Sequence, residues 1–412
     1  MRLISKLLIL FIAFSLGLGV GSTYIHKNQS QAFSQVEKNT PKAFISEVYD
    51  KIKDNYWDNI TDAQLLELFR LSIKQNGGGD LSKLENKEQL LKAVNASLRI
   101  PEIVSSVLTT LSPKGRLGLY TQKAEQQLQN TVNNVNPQND LYKNLGLNKG
   151  ASVSAVADAF SKKSEELKKE NTPQAKEQLK QITYAKDVLV KDDTKLRYDT
   201  SQVEPTIFTR VLGGQVLYLQ FKKFSPTSLD EFVKAFDNYK DSNLTALIFD
   251  LRGNIGGVID VTPYFLGLFL GKNQYAFDFY HKGEYMPFRT PTDKLPSIAK
   301  YKQIILLIDN NTQSSAEIMA ASFKKYHLGV VVGTKTHGWG TVERVFPLDN
   351  QISKTEKYSL FLVHSITLRD DNQPIEGRGV DPDISLKDSD WERKLSSYFG
   401  NSQLVMAVKD AI

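Results

Sequence analysis

Ser314 closes the turn Asn311-Thr312-Gln313-Ser314, which comes after the apolar run Ile304-Ile305-Leu306-Leu307-Ile308 and precedes Ser315-Ala316-Glu317-Ile318. That order predicts a strand, a short polar turn and a helix. The serine hydroxyl would then be exposed near the positive end of the helix. A serine held this way attacks a carbonyl only when a neighbouring base takes its proton. A lone serine in such a turn is more often a helix cap. Two glycine-bearing segments are candidates to complete a site. Asp250-Leu251-Arg252-Gly253-Asn254-Ile255-Gly256-Gly257 ends an apolar run and opens a helix. Its paired glycines permit close backbone approach, and free amides at a helix start favour an anion. Those are the properties of an oxyanion hole, although a glycine pair alone is more often an ordinary turn. The other segment, Gly333-Thr334-Lys335-Thr336-His337-Gly338-Trp339-Gly340-Thr341-Val342-Glu343, is a glycine-rich turn between two strands.

These turns need strands and helices to hold them. Val216 to Phe221, Ala246 to Asp250, Ile304 to Ile308, Gly329 to Val332, Val342 to Phe346 and Tyr358 to Leu368 read as strands. Leu229 to Tyr239 and Val258 to Leu270 read as helices between them. Ala246 to Phe249 is apolar without alternation, as expected of a strand buried on both faces. Strands alternating with helices predict a layered α/β domain over residues 206–412.

The rest of the chain differs in character. Residues 1–25 carry Arg2 and Lys6 before an uncharged stretch, Leu7 to Ile25. About 20 apolar residues span a bilayer as a helix. The basic flank places the N-terminus in the cytoplasm and the remainder outside. The segment reads as a signal anchor, or as a signal peptide cut near Gly19-Val20-Gly21-Ser22. Residues 26–42 are polar and linker-like. Residues 43–125 show helical spacing: Phe44, Val48 and Ile52, then Leu65, Leu66 and Phe69 after Thr61-Asp62, then Leu90 to Leu98 and Ile103 to Leu111. Residues 126–140, rich in Gln and Asn, read as a linker. The net charge of +6 is mild for 412 residues and forms no basic stripe interleaved with aromatics, which argues against nucleic acid as a partner. The absence of cysteine excludes disulfides and thiolate chemistry. The five histidines are scattered without ligand spacing, so neither a metal site nor a cofactor is expected.

Residues 141–200 form a separate helical unit. Tyr142 to Leu147 leads into one helix bearing Val156, Phe160 and Leu167, and a second bearing Leu179, Ile182, Ala185, Val188 and Leu189. The unit resembles a J domain, the module that docks on DnaK-type chaperones. The His-Pro-Asp tripeptide of such modules should fall near Lys168-Lys169-Glu170 and is absent. That absence argues against a DnaK-type partner and for a structural spacer.

In their order, the glycine-pair segment, the Ser314 turn, the Trp339 turn and the closing Gly377-Arg378-Gly379-Val380-Asp381-Pro382-Asp383-Ile384 resemble the S41 peptidases, the C-terminal processing or tail-specific proteases. The resemblance implies an α/β core of the ClpP/crotonase type, with a helical N-terminal region before it. The J-like insert stands where such proteases usually carry a PDZ domain. The resemblance also implies a nucleophile at Ser314 and oxyanion amides at Gly256, Gly257 and Ser315. The family's general base is a lysine in a Thr-Phe-Gly-Lys-Gly turn, and the matching Thr336-His337-Gly338-Trp339-Gly340 puts Trp339 there. The glutamine that orients the lysine corresponds to Glu343.

An indole nitrogen only donates and accepts no proton. His337, two residues before Trp339, is the candidate for a relocated base; an exposed turn histidine is the plainer reading. Two functions are compatible with these residues. One is a membrane-anchored, extracytoplasmic serine peptidase or homologue acting on envelope polypeptides through Ser314. The other is a peptide-binding scaffold that has lost its base.

Overall fold

The computed structural model describes residues 37–412 apart from positions 80, 96 and 171. Leu7 to Ile25 lies outside the described residues. Among the described residues no helix is long and apolar enough to cross a membrane.

Among the described residues four helices come first: α1 (Pro41–Asn55), α2 (Asp62–Gln75), α3 (Lys87–Ala93) and α4 (Ile100–Thr110). Thr40 and Thr61 cap the first two, accepting from the Ala43 and Gln64 amides. Their apolar stripes, Phe44, Val48, Leu65, Phe69 and Val104, share one buried core with Leu360 and Leu362 of a strand far along the chain. The helical region therefore also completes the α/β domain. It supplies strand β1 (Gly118–Thr121) as well.

Helix α5 (Gln122–Val132) crosses into the stretch 126–140 expected to be a linker. Thr121 caps it by accepting from the Ala124 amide, and its Gln, Lys and Glu side chains are good helix formers. No residue of α5 is buried, so no apolar stripe marks it. The remainder of that stretch is pinned: the Glu204 amide donates to the Asn134 carbonyl at 3.0 Å.

The insert comprises α6 (Leu141–Asn144), α7 (Val153–Glu170), α8 (Pro173–Leu189) and α9 (Asp192–Ser201). Tyr142, Val156, Ile182, Val188 and Tyr198 form its own core. Lys168, Lys169 and Glu170 belong to the last turn of α7, and α8 begins at Pro173 with Thr172 as its cap. Tyr184 donates to Glu204 and Arg197 pairs with Glu231, which fastens the unit to the α/β domain.

That domain holds β2 (Ile207–Leu212), β3 (Val216–Phe221), α10 (Ser228–Asp237), β4 (Ala246–Asp250), α11 (Thr262–Leu270), β5 (Tyr275–His281), β6 (Glu284–Arg289), β7 (Gln303–Ile308), α12 (Ser315–Lys325), β8 (Val330–Gly333), β9 (Thr341–Pro347), β10 (Tyr358–Thr367), β11 (Ile384–Ser385), α13 (Trp391–Phe399) and α14 (Ser402–Ala411). A 3₁₀ turn, Ile259–Val261, precedes α11, so the helix expected from Val258 begins one turn later, with Pro263 in its first turn. A six-stranded sheet runs β11-β8-β7-β4-β3-β2, parallel except for the β2–β3 pair. Phe221, Phe249, Leu306, Phe232, Phe265 and Phe323 pack one face of it against helices. A five-stranded antiparallel sheet is built on β10, which pairs with β9 along one edge and with β1 and β5 along the other, β6 closing on β5. The layered α/β class is as expected.

Candidate active site

Strand β7 enters the sheet interior and must turn sharply to launch α12. The turn is closed by Thr312, whose hydroxyl donates to the Leu251 carbonyl at 3.0 Å while its amide donates to the Asp309 carbonyl at 3.0 Å. Ser314 then takes φ 53° and ψ −124°. Such a conformation costs a non-glycine residue about 1–3 kcal/mol, and it persists only where the surroundings fix it. Here they do. The Gln313 amide donates to the Asn254 carbonyl at 2.8 Å, and the Ser314 amide donates to Glu317 Oε2 at 3.0 Å. The Ser314 side chain stands half-buried at the start of α12.

The glycine-pair segment lies against it. Asn254 is fully buried and organises the turn: its Nδ2 donates to the Phe221 carbonyl at 2.7 Å, and its Oδ1 accepts from the Gly256 amide at 2.8 Å. Phe224 clasps the next step, donating its amide to the Gly256 carbonyl and accepting from the Val258 amide, both at 2.9 Å. A Cβ on Gly256 would lie 2.6 Å from the Ser314 Cβ, and one on Gly257 would lie 1.9 Å from the Phe224 carbonyl oxygen. Only glycines permit this approach. Of the three amides singled out from the sequence, that of Gly256 is spent on Asn254. Those of Gly257 and Ser315 have no acceptor among the described residues.

Glu317 joins the Ser314 turn to the Trp339 turn. It is fully buried. Its Oε1 accepts from Thr336 Oγ1 at 2.5 Å and the Gly338 amide at 2.8 Å, and its Oε2 accepts from the amides of Trp339 at 2.7 Å and Ser314 at 3.0 Å. Burial pushes its carboxyl above the usual glutamate range, and the four donors pull against that shift. The signal for this role is present in the sequence: the spacing Ser-x-x-Glu is a capping signature that marks Glu317 as a structural partner of Ser314.

Trp339 is locked in place. Its Nε1 donates to Glu343 Oε1 at 2.9 Å, which also accepts from Thr341 Oγ1 at 2.5 Å. The Arg116 guanidinium lies over the indole, 3.3 Å from the ring centroid, close enough for a strong cation–π contact. Arg116 also pairs with Glu376 at 3.4 Å, and Glu376 accepts from the Gly340 amide at 2.8 Å. Burial pushes the Glu343 carboxyl up, which favours its neutral form. Arg116 carries no sequence signal for this role, since its turn lies more than two hundred residues earlier in the chain.

No hydrogen bond joins the Ser314 hydroxyl to a lysine or histidine nitrogen among the described residues. His337 is exposed and donates only its backbone amide, to the Thr312 carbonyl at 3.0 Å. Its ring stands 6.4 Å from the Trp339 ring. His364 is occupied elsewhere: it stacks on His281 with centroids 4.4 Å apart, and burial pushes its pKa down to about 4. Lys335 is exposed and lies 3.7 Å from Asp381. No cluster of metal-ligating side chains occurs among the described residues.

Residues 215–386, which contain all of these turns, match peptidase family S41. That segment is about two-fifths of the chain. Curated relatives include a probable CtpA-like serine protease of Staphylococcus epidermidis, 26% identical over 196 residues, an alignment covering 47% of this chain and 38% of that protein. They also include the carboxy-terminal processing protease CtpA of Bacillus subtilis, 26% identical over 203 residues, covering 49% of this chain and 41% of that protein. The chain thus spans about two-fifths of the length of the relatives it matches. Among solved structures, a lipoprotein from Streptococcus agalactiae aligns with TM-score 0.46 and 13% identity over 90% of this chain and 99% of that one. The photosystem II D1 C-terminal processing protease aligns with TM-score 0.47 and 12% identity over 84% and 93%.

Within this matched segment, the serine turn, the glycine pair and the Trp339 turn meet at one place, through Gly256 against Ser314 and through Glu317. The arrangement offers a strained serine beside two amides that have no acceptor among the described residues.

Proposed function

We propose that this chain is a membrane-tethered, extracytoplasmic S41 homologue that holds polypeptide at the Ser314 site and does not hydrolyse it. The observation that carries this reading is that no lysine or histidine nitrogen among the described residues bonds the Ser314 hydroxyl. Trp339, which the resemblance aligns with the family's base, is held by Arg116 and Glu343. A serine hydroxyl without a base is a poor nucleophile, and loss of a positioned base costs about 10²–10⁴ in rate. The tether rests on Leu7 to Ile25 behind Arg2 and Lys6, and it brings envelope polypeptides within reach. The relatives' names, carboxy-terminal processing proteases, support a polypeptide as the ligand.

A second reading, a serine peptidase with Ser314 as nucleophile, is favoured by two features: the strained Ser314 backbone and the open amides of Gly257 and Ser315. Incubating the purified chain with fluorescein-labelled casein separates the two. The proposal expects a complex in which the casein stays intact. Fragments that appear with the wild type and not with Ser314→Ala would establish the peptidase instead.

A further inference from the structure

We infer that the helical insert is fastened to the α/β domain by a proton-dependent latch at Glu204, closed while its carboxyl is protonated and loosened when it ionises. The latch lies outside the Ser314 site and does not depend on what that site binds.

Two carboxylates hold the insert, and they are not alike. Glu231 of α10 accepts on Oε2 from the Thr206 amide at 2.6 Å, the Thr206 hydroxyl at 3.0 Å and the Ile207 amide at 3.1 Å. Its Oε1 accepts from Thr227 Oγ1 at 2.8 Å and from Arg197 of α9. Both oxygens are served, as a buried ionised carboxylate requires. Glu204 lies in the stretch joining α9 to β2 and is 7% exposed. Its Oε2 accepts from the hydroxyl of Tyr184 on α8, while its Oε1 is buried and finds no partner among the described residues.

The seam around Glu204 joins the insert to the domain. The Tyr184 ring packs on Phe208 of β2 with centroids 5.6 Å apart, and Phe208 lies against the core of the insert. Lys222, just after β3, holds its Nζ over both rings, 4.2 Å from the Tyr184 centroid and 5.0 Å from that of Phe208. Lys222 and Lys223 are the cations that act on Glu204, and among the described residues neither closes an ion pair with it. The other titratable groups at the seam are Glu231 and Tyr198, which act on Tyr184, and Asp187, which acts on Lys222. Lys223 leads directly into Phe224, whose clasp fixes the glycine pair, so the latch adjoins the Ser314 site.

A carboxylate buried with one bare oxygen is costly, and the neutral acid is much less so. Burial accordingly pushes the Glu204 carboxyl above its ordinary 4.5, while the Tyr184 hydrogen bond and the charges of Lys222 and Lys223 pull against that shift. When the insert lifts away, Glu204 meets water and returns toward 4.5. Below that value both states are protonated and the latch has its full strength. As pH rises the lifted state ionises first, and docking weakens until the docked carboxyl has ionised too. The Arg197–Glu231 pair has no orphaned oxygen and remains as the second attachment.

Hydrogen–deuterium exchange of the purified chain reads the latch, with Glu204→Gln measured at the same pH so that intrinsic exchange cancels. Glutamine keeps the shape and carries no titrating proton. At pH 4.5 the amides of residues 204–208 should exchange within about twofold of each other in the two proteins. At pH 8 they should exchange at least about fivefold faster in the wild type, the shift expected from one buried group left without a partner. Residues 182–189, in the insert's own core, should stay equally protected in both proteins at both pH values. The same ratio of wild type to Glu204→Gln at both pH values would overturn the inference. So would a parallel loss of protection at 182–189, because the insert would then be unfolding rather than lifting. Tyr184→Phe keeps the ring and removes the one donor to Glu204, so it should move the midpoint of the transition to higher pH. An unmoved midpoint would assign the transition to another group and overturn the latch.

Discussion

Replacing Glu317 by Gln tests whether this buried carboxylate is what fixes the two turns. Glu317 accepts four hydrogen bonds, two on each oxygen, from Thr336, Gly338, Trp339 and Ser314. Glutamine keeps the shape but replaces one oxygen by an amino group. Either orientation points that group at two donors. Two bonds to a charged acceptor are lost, at about 1.5–3 kcal/mol each, or about 3–6 kcal/mol in gross. Relief from burying a charge offsets part of this, leaving about 2–4 kcal/mol. That is a large fraction of the stability of an ordinary domain, about 5–15 kcal/mol. Urea unfolding of wild type and Glu317→Gln at neutral pH measures it. A loss below about 1 kcal/mol would refute the reasoning, because it would mean that the four donors find other partners at little cost.

Other substitutions probe the surroundings. Glu343 has a folded-state pKa raised above its ordinary 4.5 by burial, so folding favours the protonated form. The unfolded chain releases that proton first as pH rises through 4.5, and stability falls from there up to the folded pKa. Glu343→Gln should therefore match the wild type near pH 4.5 and be the more stable of the two at about pH 8; a parallel pH dependence of the urea midpoints would contradict the assignment. Gly256→Ala should lose about 2–4 kcal/mol, since it adds overlap with Ser314 to the strain of a positive φ. Gly253→Ala, with φ +71° and nothing within 4 Å of the added Cβ, should lose only the strain part. Equal thermal shifts for the two would count against the close approach. The insert, without His-Pro-Asp, should leave the ATPase rate of a DnaK-type chaperone unchanged, and a measurable stimulation would make it a working co-chaperone module.

How much of the fold and site is legible in the sequence depends on how local each feature is. The strand-turn-helix around Ser314 is written in consecutive residues, an apolar run, a polar turn and a helix start, and the structure has that order. The Gly256-Gly257 approach is likewise carried by residue type. Residue type does not separate the Gly256 amide from its neighbours, because its capture depends on how the Asn254 side chain turns back. The β5–β6 hairpin escapes a sequence-based expectation because most of β6 is exposed and lacks alternation. Strand β1 has four half-buried residues and no period of its own, and it is a strand only because β10 lies beside it. Arg116 looks like an ordinary turn residue in the sequence. Its place over Trp339 comes from the packing of β1 and its approach against β10, a contact between distant parts of the chain that no local pattern carries.

The central claim is that the Ser314 hydroxyl has no proton acceptor, and a fluorophosphonate probe reads this directly. Mass spectrometry of the intact chain after incubation should show no adduct above the level of Ser314→Ala at any pH between about 6 and 9, the range in which a histidine or an activated lysine would serve. An adduct mapped to Ser314, absent from Ser314→Ala and rising with pH along a single titration, would contradict it.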